Sequence, residues 1–411
     1  MKKEVKWIIG LSIVLVINIV ICTILFINNK KEKIIIEDIK NLNIVLKKER
    51  KAEFLSIVKV SDFIDSIDYE LEEDYEIDTT SIGEKEIWFN IKKDDKKIRT
   101  SYKIIVEDTV PPLIWLGNSY SISVGSKDNL LDKIMCADNY DDNPACEIVG
   151  EYDTNVKGTY PLVFKATDSS GNTTEQKFNL YVYEPSASGE SNSNYKEEYT
   201  YFEDVIKKFK TEDTQIGIDV SRWQGDIDYA ALKEAGVEFV IMRIGSSEGT
   251  YGERFMDSKF ERNIKLANEN NIPAGVYYFS YAFSKDKAIE EANWVLDNIK
   301  DYDVSLGVFF DWEDWPYYND YKLSFYHLTD LAKGFMDTIN KNGYKTYLYG
   351  SKNYLERVWM ETGYPIWLAH YNDETSYKGN FEYWQICQDG KVNGINGTVD
   401  INIRYLNKSQ N

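Results

Sequence analysis

The chain has 411 residues, which is longer than one ordinary domain and predicts a modular protein of two to four domains. Its formal net charge of -20 argues against nucleic acid as a partner, because phosphate binding depends on clustered Lys and Arg. The chain has only two histidines and four cysteines, which argues against zinc sites and against Ser/His/Asp or Cys/His catalysis. Carboxylates are therefore the expected catalytic groups, and no metal or cofactor is predicted.

The N-terminal segment is predicted to cross a membrane. Residues 7–27 form an apolar run without a charged side chain, and about 20 such residues span a bilayer core of about 30 Å. The run continues directly into Asn and Lys residues rather than into small residues, so we expect an uncleaved anchor. Lysines flank both ends, and the charge pattern alone therefore does not orient residues 1–6.

Residues 34–184 contain short alternating apolar runs separated by Gly, Asp and Asn turns, a pattern typical of antiparallel sandwiches. The pattern repeats at a period of about 75 residues, which predicts two modules at 32–108 and 109–184. The second resembles the immunoglobulin-like modules of bacterial surface proteins in its segments "DTVPP", "GTY" and "DSSGN". The resemblance implies spacers that also offer a surface to a cell-envelope protein. The first module matches less well, and residues 34–75 could contain helix.

Two cysteines bracket an acidic loop in the second module. Cys136 and Cys146 could form a disulfide in an oxidising exterior. Between them, Asp138, Asp141 and Asp142 have the oxygen ligands that calcium prefers, although a solvated turn explains them equally well. Residues 185–213 begin with "PSASGESNSN", a composition typical of a flexible linker, and end in a charged stretch that could form a short helix.

From residue 214 to 407, strand-like apolar runs alternate with helix-like stretches, which indicates parallel β/α construction. Connections after the sixth run are too short for helices, so we expect an α/β barrel with an incomplete outer ring. Cys387 lies in one of these runs and is expected to be a small core residue rather than a nucleophile paired with His370. Eight strands are predicted: 216–220, 239–244, 275–281, 307–312, 346–350, 366–370, 383–387 and 399–403.

Acidic residues occur at the ends of these strands, where barrel enzymes carry their active sites. Asp219 follows the first strand, and Asp311 and Glu313 follow the fourth. Asp311 and Glu313 are two residues apart on a strand, so their side chains point to one face and Trp312 to the other. Asp400 begins the last strand and is expected to reach the same mouth. Crowded carboxyls raise one another's pKa, which supplies the proton donor and ionised partner that glycosidic cleavage needs.

The segment from 215 to about 405 resembles the glycoside hydrolase family 25 muramidases, the Chalaropsis-type lysozymes. The similarity begins at residues 217–225, "GIDVSRWQG", and continues in the order of the family. The further matching segments are "MRIG" (242–245), "GVYYFSY" (275–281), "DWE" (311–313), "YGS" (349–351), "WLAHY" (367–371), "WQ" (384–385) and "GTVDIN" (397–402).

The resemblance implies a barrel of five β/α units and three further strands that cuts the β-1,4 bond between N-acetylmuramic acid and N-acetylglucosamine. It makes Glu313 the general acid and then base, and Asp311 the group that orients the substrate's own N-acetyl group for attack. Asp219 and Asp400 match the family's supporting acids. The residues that it places at the sugar-binding cleft are Tyr278, Tyr349, Trp367, Tyr371, Trp384 and Gln385.

A muramidase meets peptidoglycan outside the membrane, which places residues 1–6 in the cytoplasm and everything after the anchor at a Gram-positive-type cell surface. We expect such an enzyme to remodel the wall or to open it locally for a secretion or conjugation assembly. Three alternatives remain open at this point: a degenerate hydrolase that only grips glycan, a structural anchor that binds a partner through its sandwiches, and a chitinase-like enzyme.

Overall fold

The computed structural model describes residues 34–93, 96–116, 119–185 and 198–407. The chain divides into two compact units, Met1–Thr109 and Val110–Asn411, which are described separately. The predicted transmembrane helix at residues 7–27 lies outside the described residues. Within the described ranges, no helix is both long enough and apolar enough to cross a bilayer.

The first unit is built from strands. A long hairpin of β6 and β7 forms the centre of a five-stranded sheet with β1, β3 and β5, and β2 pairs with β4. Residues 34–75, which could have contained helix, form strands and two 3-10 turns, Ile39–Asn41 and Val60–Phe63. The strands are β1 Ile35–Ile36, β2 Ile44–Leu46, β3 Lys51–Glu53, β4 Ile64–Ile67, β5 Glu70–Leu71, β6 Gly83–Lys93 and β7 Lys96–Glu107.

The second unit begins with another β module. A four-stranded sheet of order β11-β12-β13-β9 accompanies the pair β8-β10, and a 3-10 turn spans Leu130–Lys133. The strands are β8 Leu113–Trp115, β9 Ser119–Ser123, β10 Met135–Ala137, β11 Ala145–Val149, β12 Gly158–Thr167 and β13 Thr173–Tyr183.

The internal repeat is visible in both β modules. Each has one long antiparallel hairpin, and each lays a short earlier strand parallel to the second arm of that hairpin. Phe89 on β6 and Phe164 on β12 are both buried at corresponding positions of their cores. The same alternating pattern thus produces the same strand order twice.

The acidic loop of the second module is held by its own side chains. The structure joins Cys136 to Cys146 by a disulfide. Asp138 accepts hydrogen bonds from the backbone N–H groups of Tyr140 and Asp141. Asp141 in turn accepts from the backbone N–H of Ser169. These carboxylates therefore organise the turn.

The rest of the second unit is an eight-stranded closed barrel. The strand order β22-β21-β20-β19-β18-β16-β15-β23 closes through pairing of β22 with β23. All eight predicted strands are confirmed, with ends shifted by a few residues. The strands of this region are β14 Thr200–Tyr201, β15 Thr214–Val220, β16 Val240–Ser247, β17 Arg254–Met256, β18 Ala274–Phe279, β19 Gly307–Asp311, β20 Thr346–Ser351, β21 Ile366–Ala369, β22 Tyr383–Lys391 and β23 Val399–Tyr405.

Helices cover the outside of the barrel up to its sixth strand. Three of them begin at side chains that cap free backbone N–H groups, namely Asp228, Ser284 and Ser324. The helices are α1 Phe202–Phe209, α2 Tyr229–Glu234, α3 Phe260–Glu269, α4 Lys285–Ile299, α5 Tyr318–Tyr321, α6 Phe325–Lys341 and α7 Lys352–Arg357, with 3-10 turns at Arg222–Gln224 and Trp315–Tyr317.

Side chains alternate along each barrel strand between the interior and the helix layer. On β19, Phe309 packs inside the barrel, while Val308 and Phe310 pack against the helices. Each large ring that is removed from water adds about 2 kcal/mol of hydrophobic stabilisation. The interior below the mouth is filled mainly by the aromatic side chains of Phe239, Phe309, Tyr347, Trp367 and Tyr383.

The predicted linker 185–213 is shorter than expected. Residues 198–213 belong to the barrel, because β14 pairs with β22 and Phe202 and Val205 of α1 are buried in the barrel core. Phe209, at the end of α1, packs edge-on against Trp384 with ring centres 5.8 Å apart. The short helix expected in the charged stretch is α1, whose charged side chains lie on the outer face of an amphipathic helix.

The second β module packs against the barrel, contrary to the expected free spacer. At the start of α6, the backbone N–H of Phe325 donates to the carbonyl oxygen of Asp138 at 2.8 Å. The backbone N–H of Ser324 donates to the Asp142 carboxylate at 2.7 Å. These bonds pair N–H groups that a helix start leaves free, and Met135 adds to the barrel core. The module and the barrel form one compact unit.

Candidate active site

The four predicted acids come together at one end of the barrel. Asp219 ends β15, and Asp311 ends β19 with Glu313 two residues beyond it. Because β23 runs antiparallel to β15, its first residues lie at the same end, and Asp400 is directly opposite Asp219 in the strand register. Burial, and then the negative charges of these groups acting on one another, raise the pKa of Asp219, Asp311 and Glu313.

Gln385 connects two of these acids. Its side-chain N–H2 donates to Asp219 at 2.9 Å and to Asp400 at 2.8 Å. Its carbonyl oxygen accepts hydrogen bonds from the hydroxyls of Tyr349 and Tyr371. Both ends of the amide are therefore engaged, which fixes the orientation of the amide and the spacing of the two carboxylates.

Asp219 is the most extensively hydrogen-bonded of the four acids. A second amide, that of Asn402, donates to it at 2.7 Å, and Trp367 holds Asn402 through its indole N–H at 2.7 Å. Burial and the charge of Asp400 raise the pKa of Asp219, and the two amide donors oppose that rise.

Asp311 is buried, yet its Oδ1 has no hydrogen-bond partner among the described residues. Burial is the main reason why its pKa lies well above the ordinary range, and the charges of Glu313 and Asp219 add to the effect. Arg243 lowers this pKa from a distance, but its own Nε donates to Asp257 at 2.7 Å. An unpaired buried carboxyl oxygen is costly, which favours binding of a donor there.

Glu313 is partly exposed at the mouth. Burial of its carboxyl, followed by the charge of Asp400, raises its pKa to about 7. Burial, followed by the charge of Asp389, raises the pKa of Asp400 to about 6. A carboxyl with a pKa near 7 is protonated in a large fraction of molecules at neutral pH, as a general acid requires.

Trp312 points away from the mouth, as the spacing of "DWE" predicts. Its ring is fully buried, and its indole N–H donates to the carbonyl oxygen of Ala282 at 3.1 Å. Trp315 lies edge-on to it at 4.8 Å. The buried Trp312 anchors the chain between Asp311 and Glu313, so both carboxyls are held on the barrel side.

The structure places two of the predicted sugar contacts away from the mouth. Tyr278 is fully buried in the helix layer, where it packs against Trp294 and Phe335. Trp384 faces outward as well and donates its indole N–H to the carbonyl oxygen of His370. Both side chains point outward from their strands toward the helix layer, and therefore away from the mouth.

The other four predicted contacts lie at or below the mouth. Tyr371 is 45% exposed and is the most accessible of them. Tyr349, Trp367 and Gln385 are buried at 6%, 2% and 2% exposure, and their polar atoms bond to other site residues. These three side chains therefore support the acids, and Tyr371 stays a predicted sugar contact.

Sequence reasoning missed several residues of the mouth. Tyr277, next to Tyr278, faces the interior, where burial and then the charge of Asp219 raise its pKa. Trp223 is 73% exposed on the loop after β15, in a turn that ends at Gly225 with a φ of 68°. An exposed Trp after a barrel strand is typical of a surface on which sugar rings pack, and the segment "SRWQG" contains such a Trp.

The sequence offered one thiol that could have competed as a nucleophile. Burial raises the pKa of Cys387 to about 11, so the thiol is neutral at physiological pH. Its side chain lies in the outer core of the barrel. The expectation of a core cysteine is confirmed.

Comparison with known proteins identifies the barrel. Residues 218–395 match the family described as Glycosyl hydrolases family 25. The uncharacterized protein YegX of Escherichia coli is 31% identical over 201 residues, which cover 46% of this chain and 68% of YegX. The autolytic lysozyme of Clostridium acetobutylicum is 25% identical over 199 residues, or 45% of this chain and 54% of that protein.

A solved structure, the modular autolysin LytC from Streptococcus pneumoniae in complex with a synthetic peptidoglycan ligand, is 24% identical. The match covers 59% of this chain and 56% of LytC, with a TM-score of 0.42. The family match and the similarity to YegX, of which two thirds is covered, show that this chain belongs to glycosyl hydrolase family 25 and is a glycoside hydrolase of the lysozyme type.

Proposed function

We propose that the protein is an N-acetylmuramidase that cuts peptidoglycan between N-acetylmuramic acid and N-acetylglucosamine. The observation that carries the proposal is the pair of carboxyls at the end of β19. A partly exposed Glu313 with a pKa near 7 lies beside a buried Asp311 with one unpaired oxygen. Related proteins named as lysozymes, from Clostridium acetobutylicum and Streptomyces globisporus, support peptidoglycan as the substrate.

In the proposed mechanism, Glu313 donates its proton to the glycosidic oxygen as the bond to the departing sugar breaks. The acetamide oxygen of the muramic acid unit attacks the anomeric carbon and forms a cyclic intermediate. Asp311 Oδ1 accepts a hydrogen bond from the acetamide N–H, which orients that attack and favours the ionised form of Asp311. Glu313, now ionised, then takes a proton from the water that opens the intermediate, so the configuration is retained.

Asp219, Asp400 and Gln385 support this pair in the proposal. Asp400 raises the pKa of Glu313 and so keeps it protonated before the reaction. Gln385 holds Asp400 and Asp219 in place. The remaining charge of the cluster also stabilises the positive charge that develops on the sugar ring during bond cleavage.

We further propose that residues 7–27 anchor the enzyme and that the modules from residue 34 onward lie at the cell surface. The uncharged run in the sequence supports an anchor, and a peptidoglycan substrate requires the barrel to be outside the cytoplasm. An anchored muramidase cuts only the wall layer within its reach. That confinement suits wall remodelling or local opening of the wall for a secretion or conjugation assembly.

The test is digestion of purified peptidoglycan by the full chain, followed by borohydride reduction and mass spectrometry of the products. A muramidase leaves reducing ends that are recovered as reduced muramic acid. Reduced glucosamine ends would instead assign a different glycosidase specificity, and binding without any new ends would leave a glycan-binding protein.

The participation of the acetamide has its own test. Peptidoglycan whose muramic acid units have been N-deacetylated lacks the attacking group. We expect cleavage at those units to fall by at least about 100-fold, since an intramolecular nucleophile contributes several powers of ten. Equal rates on deacetylated and native strands would contradict the proposed role of Asp311.

A further inference from the structure

A cavity of about 460 Å³ lies where the second β module meets the barrel, and Glu313 is part of its wall. Cavities that hold small ligands have volumes of about 300–1,000 Å³. The module contributes Trp115, Tyr120 and Lys133 to the lining, and the barrel contributes Glu313, Trp315 and Tyr354. The predicted catalytic acid therefore faces a second domain as well as the centre of the barrel.

Aromatic rings form a continuous row along this cavity. Tyr354 stacks on Trp315 with ring centres 3.8 Å apart and on Trp115 of the module at 4.6 Å. Glu313 and Tyr354 line the same cavity, so the row begins beside the acid. Burial and then the charge of Glu313 raise the pKa of Tyr354. Trp115, Tyr120 and Tyr354 are each partly exposed. Tyr354 is enclosed between Trp315 and Trp115, and the Arg357 guanidinium lies over the Trp115 ring at 4.6 Å. The row therefore presents the apolar edges of its rings to the cavity, against which a sugar ring can pack.

Hydrogen bonds hold the cavity-lining part of the second β module against the barrel. The Asn319 side chain accepts from the backbone N–H of Cys136 at 3.0 Å and donates to the carbonyl oxygen of Ile134 at 2.9 Å. The Asp142 carboxylate lies 2.5 Å from His327 Nδ1. It also accepts the hydrogen bond from the backbone N–H of Ser324 at the start of α6. These bonds fix the strand that carries Met135 and, through its pairing with β8, the position of Trp115.

The position of the cavity indicates which part of a substrate it receives. Asp219 and Asp400 lie on β15 and β23, whereas Trp315 and Tyr354 follow β19 and β20 on another side of the barrel. A general acid protonates the oxygen of the departing sugar and must stand next to it. The space beside Glu313 and away from Asp219 is thus the space for the departing part of the strand.

We propose that the second β module completes the substrate-binding groove and that its Trp115, Tyr120 and Lys133 bind a sugar unit of the departing glycan strand. The sugar packs along the exposed edges of Trp115 and Tyr354, and the Lys133 ammonium group, which pairs with Asp128 at 2.6 Å, binds a polar group of the sugar. This inference rests on the proposed muramidase function. It turns a module expected to be a spacer into part of the substrate-binding site.

The test compares two substrates of the full chain. The first is a peptidoglycan glycan strand, which reaches the cavity, and the second is a nitrophenyl glycoside of the disaccharide ending in N-acetylmuramic acid, whose small leaving group does not. Trp115→Ala and Lys133→Ala should each lower kcat/KM on the strand, Trp115→Ala by about tenfold, or about 1.4 kcal/mol. Neither should change kcat/KM on the nitrophenyl glycoside by more than about twofold. Trp115→Tyr keeps a ring in the row and should restore most of the loss.

Matched controls lie on the same module away from the cavity. Tyr181→Ala removes an exposed ring from β13, and Lys165→Ala removes a surface lysine that pairs with Glu147. Both should behave as the unaltered chain on both substrates. Equal losses on the two substrates after Trp115→Ala, with no effect of Lys133→Ala, would show that Trp115 only holds the fold, and the inference would be overturned.

Failure of the proposed function gives a different result. If the unaltered chain cuts neither substrate, calorimetric binding of glycan strands still reports on the cavity. Weaker strand binding by Trp115→Ala and Lys133→Ala, but not by the two control variants, would support a glycan site on the module without the muramidase activity. Identical binding by all five proteins would overturn the inference.

Discussion

Burial and mutual repulsion set the protonation of the carboxyls at the barrel mouth. The deeply buried Asp311 and Asp219 have raised pKa values mainly because burial disfavours their ionised forms. Glu313 is more exposed, and its pKa of about 7 reflects burial together with the charge of Asp400. Two residues two positions apart on one strand thereby acquire different roles, which is the arrangement that a glycosidase needs.

The charge of Asp400 should be visible in the pH dependence of cleavage. Glu313 must be protonated to act, so kcat/KM should fall as the pH rises above about 7. Asp400→Asn removes a charge that raises this pKa, and the alkaline limb should move to lower pH. Rates on glycan strands between pH 5 and 9 measure the shift. Asp301→Asn, on the exposed loop before β19, should leave the limb unchanged, whereas an unmoved limb in Asp400→Asn would contradict the assigned coupling.

Glu291 is a buried acid that should make stability depend on pH. It lies on α4 and accepts a hydrogen bond from Ser280 at 2.6 Å. Burial raises its pKa from 4.5 to about 8. The folded state therefore holds a proton that the unfolded state releases, and stability falls by about 1.4 kcal/mol per pH unit between those values.

Glu291→Gln removes this dependence. Relative to the unaltered chain, the variant should gain free energy of unfolding as the pH rises from 5 to 8. Urea unfolding at both pH values provides the measurement, with the exposed Glu234→Gln as the control. A difference between variant and unaltered chain that is the same at both pH values would show that Glu291 titrates normally.

At the scale of elements, the strands and helices of the barrel follow from local sequence patterns. The direction in which each aromatic side chain points does not. Apolar runs of five to seven residues predicted the eight strands, and the acids at the ends of three of them predicted the mouth. The run "GVYYFSY" contains adjacent tyrosines, and only the closed sheet decides that Tyr277 faces inward and Tyr278 outward. Asn402 was missed because its role depends on Trp367, a partner 35 residues away.

The contact between the β module and the barrel could not be predicted from local patterns either. Asn319 and Cys136 are 183 residues apart in the chain, and neither stands in a motif. Asn319→Ala would leave the buried carbonyl of Ile134 and the N–H of Cys136 without a side-chain partner. We expect a loss of about 1–3 kcal/mol in the free energy of unfolding. The exposed neighbour Asp320→Ala should cost less than about 0.5 kcal/mol, and an equal loss in both variants would argue against the docking contact.

At the scale of the whole molecule, the chain combines a separate N-terminal β unit with a second unit in which module and barrel share a core. The family resemblance predicted the barrel and its acids, whereas both β modules were expected to be spacers. Their repeat is real, and the second module in addition makes the hydrogen bonds that hold it against the barrel.

Truncation distinguishes the two modules. A chain that begins at Val110 keeps the whole second unit and should cut glycan strands at nearly the rate of the full chain. A chain that begins at Tyr199 loses the module, and we expect a lower melting temperature and slower strand cleavage. Equal activity of the two truncated chains would mean that the module contributes neither stability nor substrate contacts.

The central claim is that Glu313 is the general acid of a peptidoglycan-cutting barrel. The most direct test is the release of new reducing ends from purified peptidoglycan by the full chain and by Glu313→Gln, with the exposed Glu269→Gln as a matched control. We predict release by the unaltered chain and by Glu269→Gln, and a fall of at least about 100-fold in Glu313→Gln. Undiminished release by Glu313→Gln would contradict the assignment of the acid and, with it, the proposed mechanism.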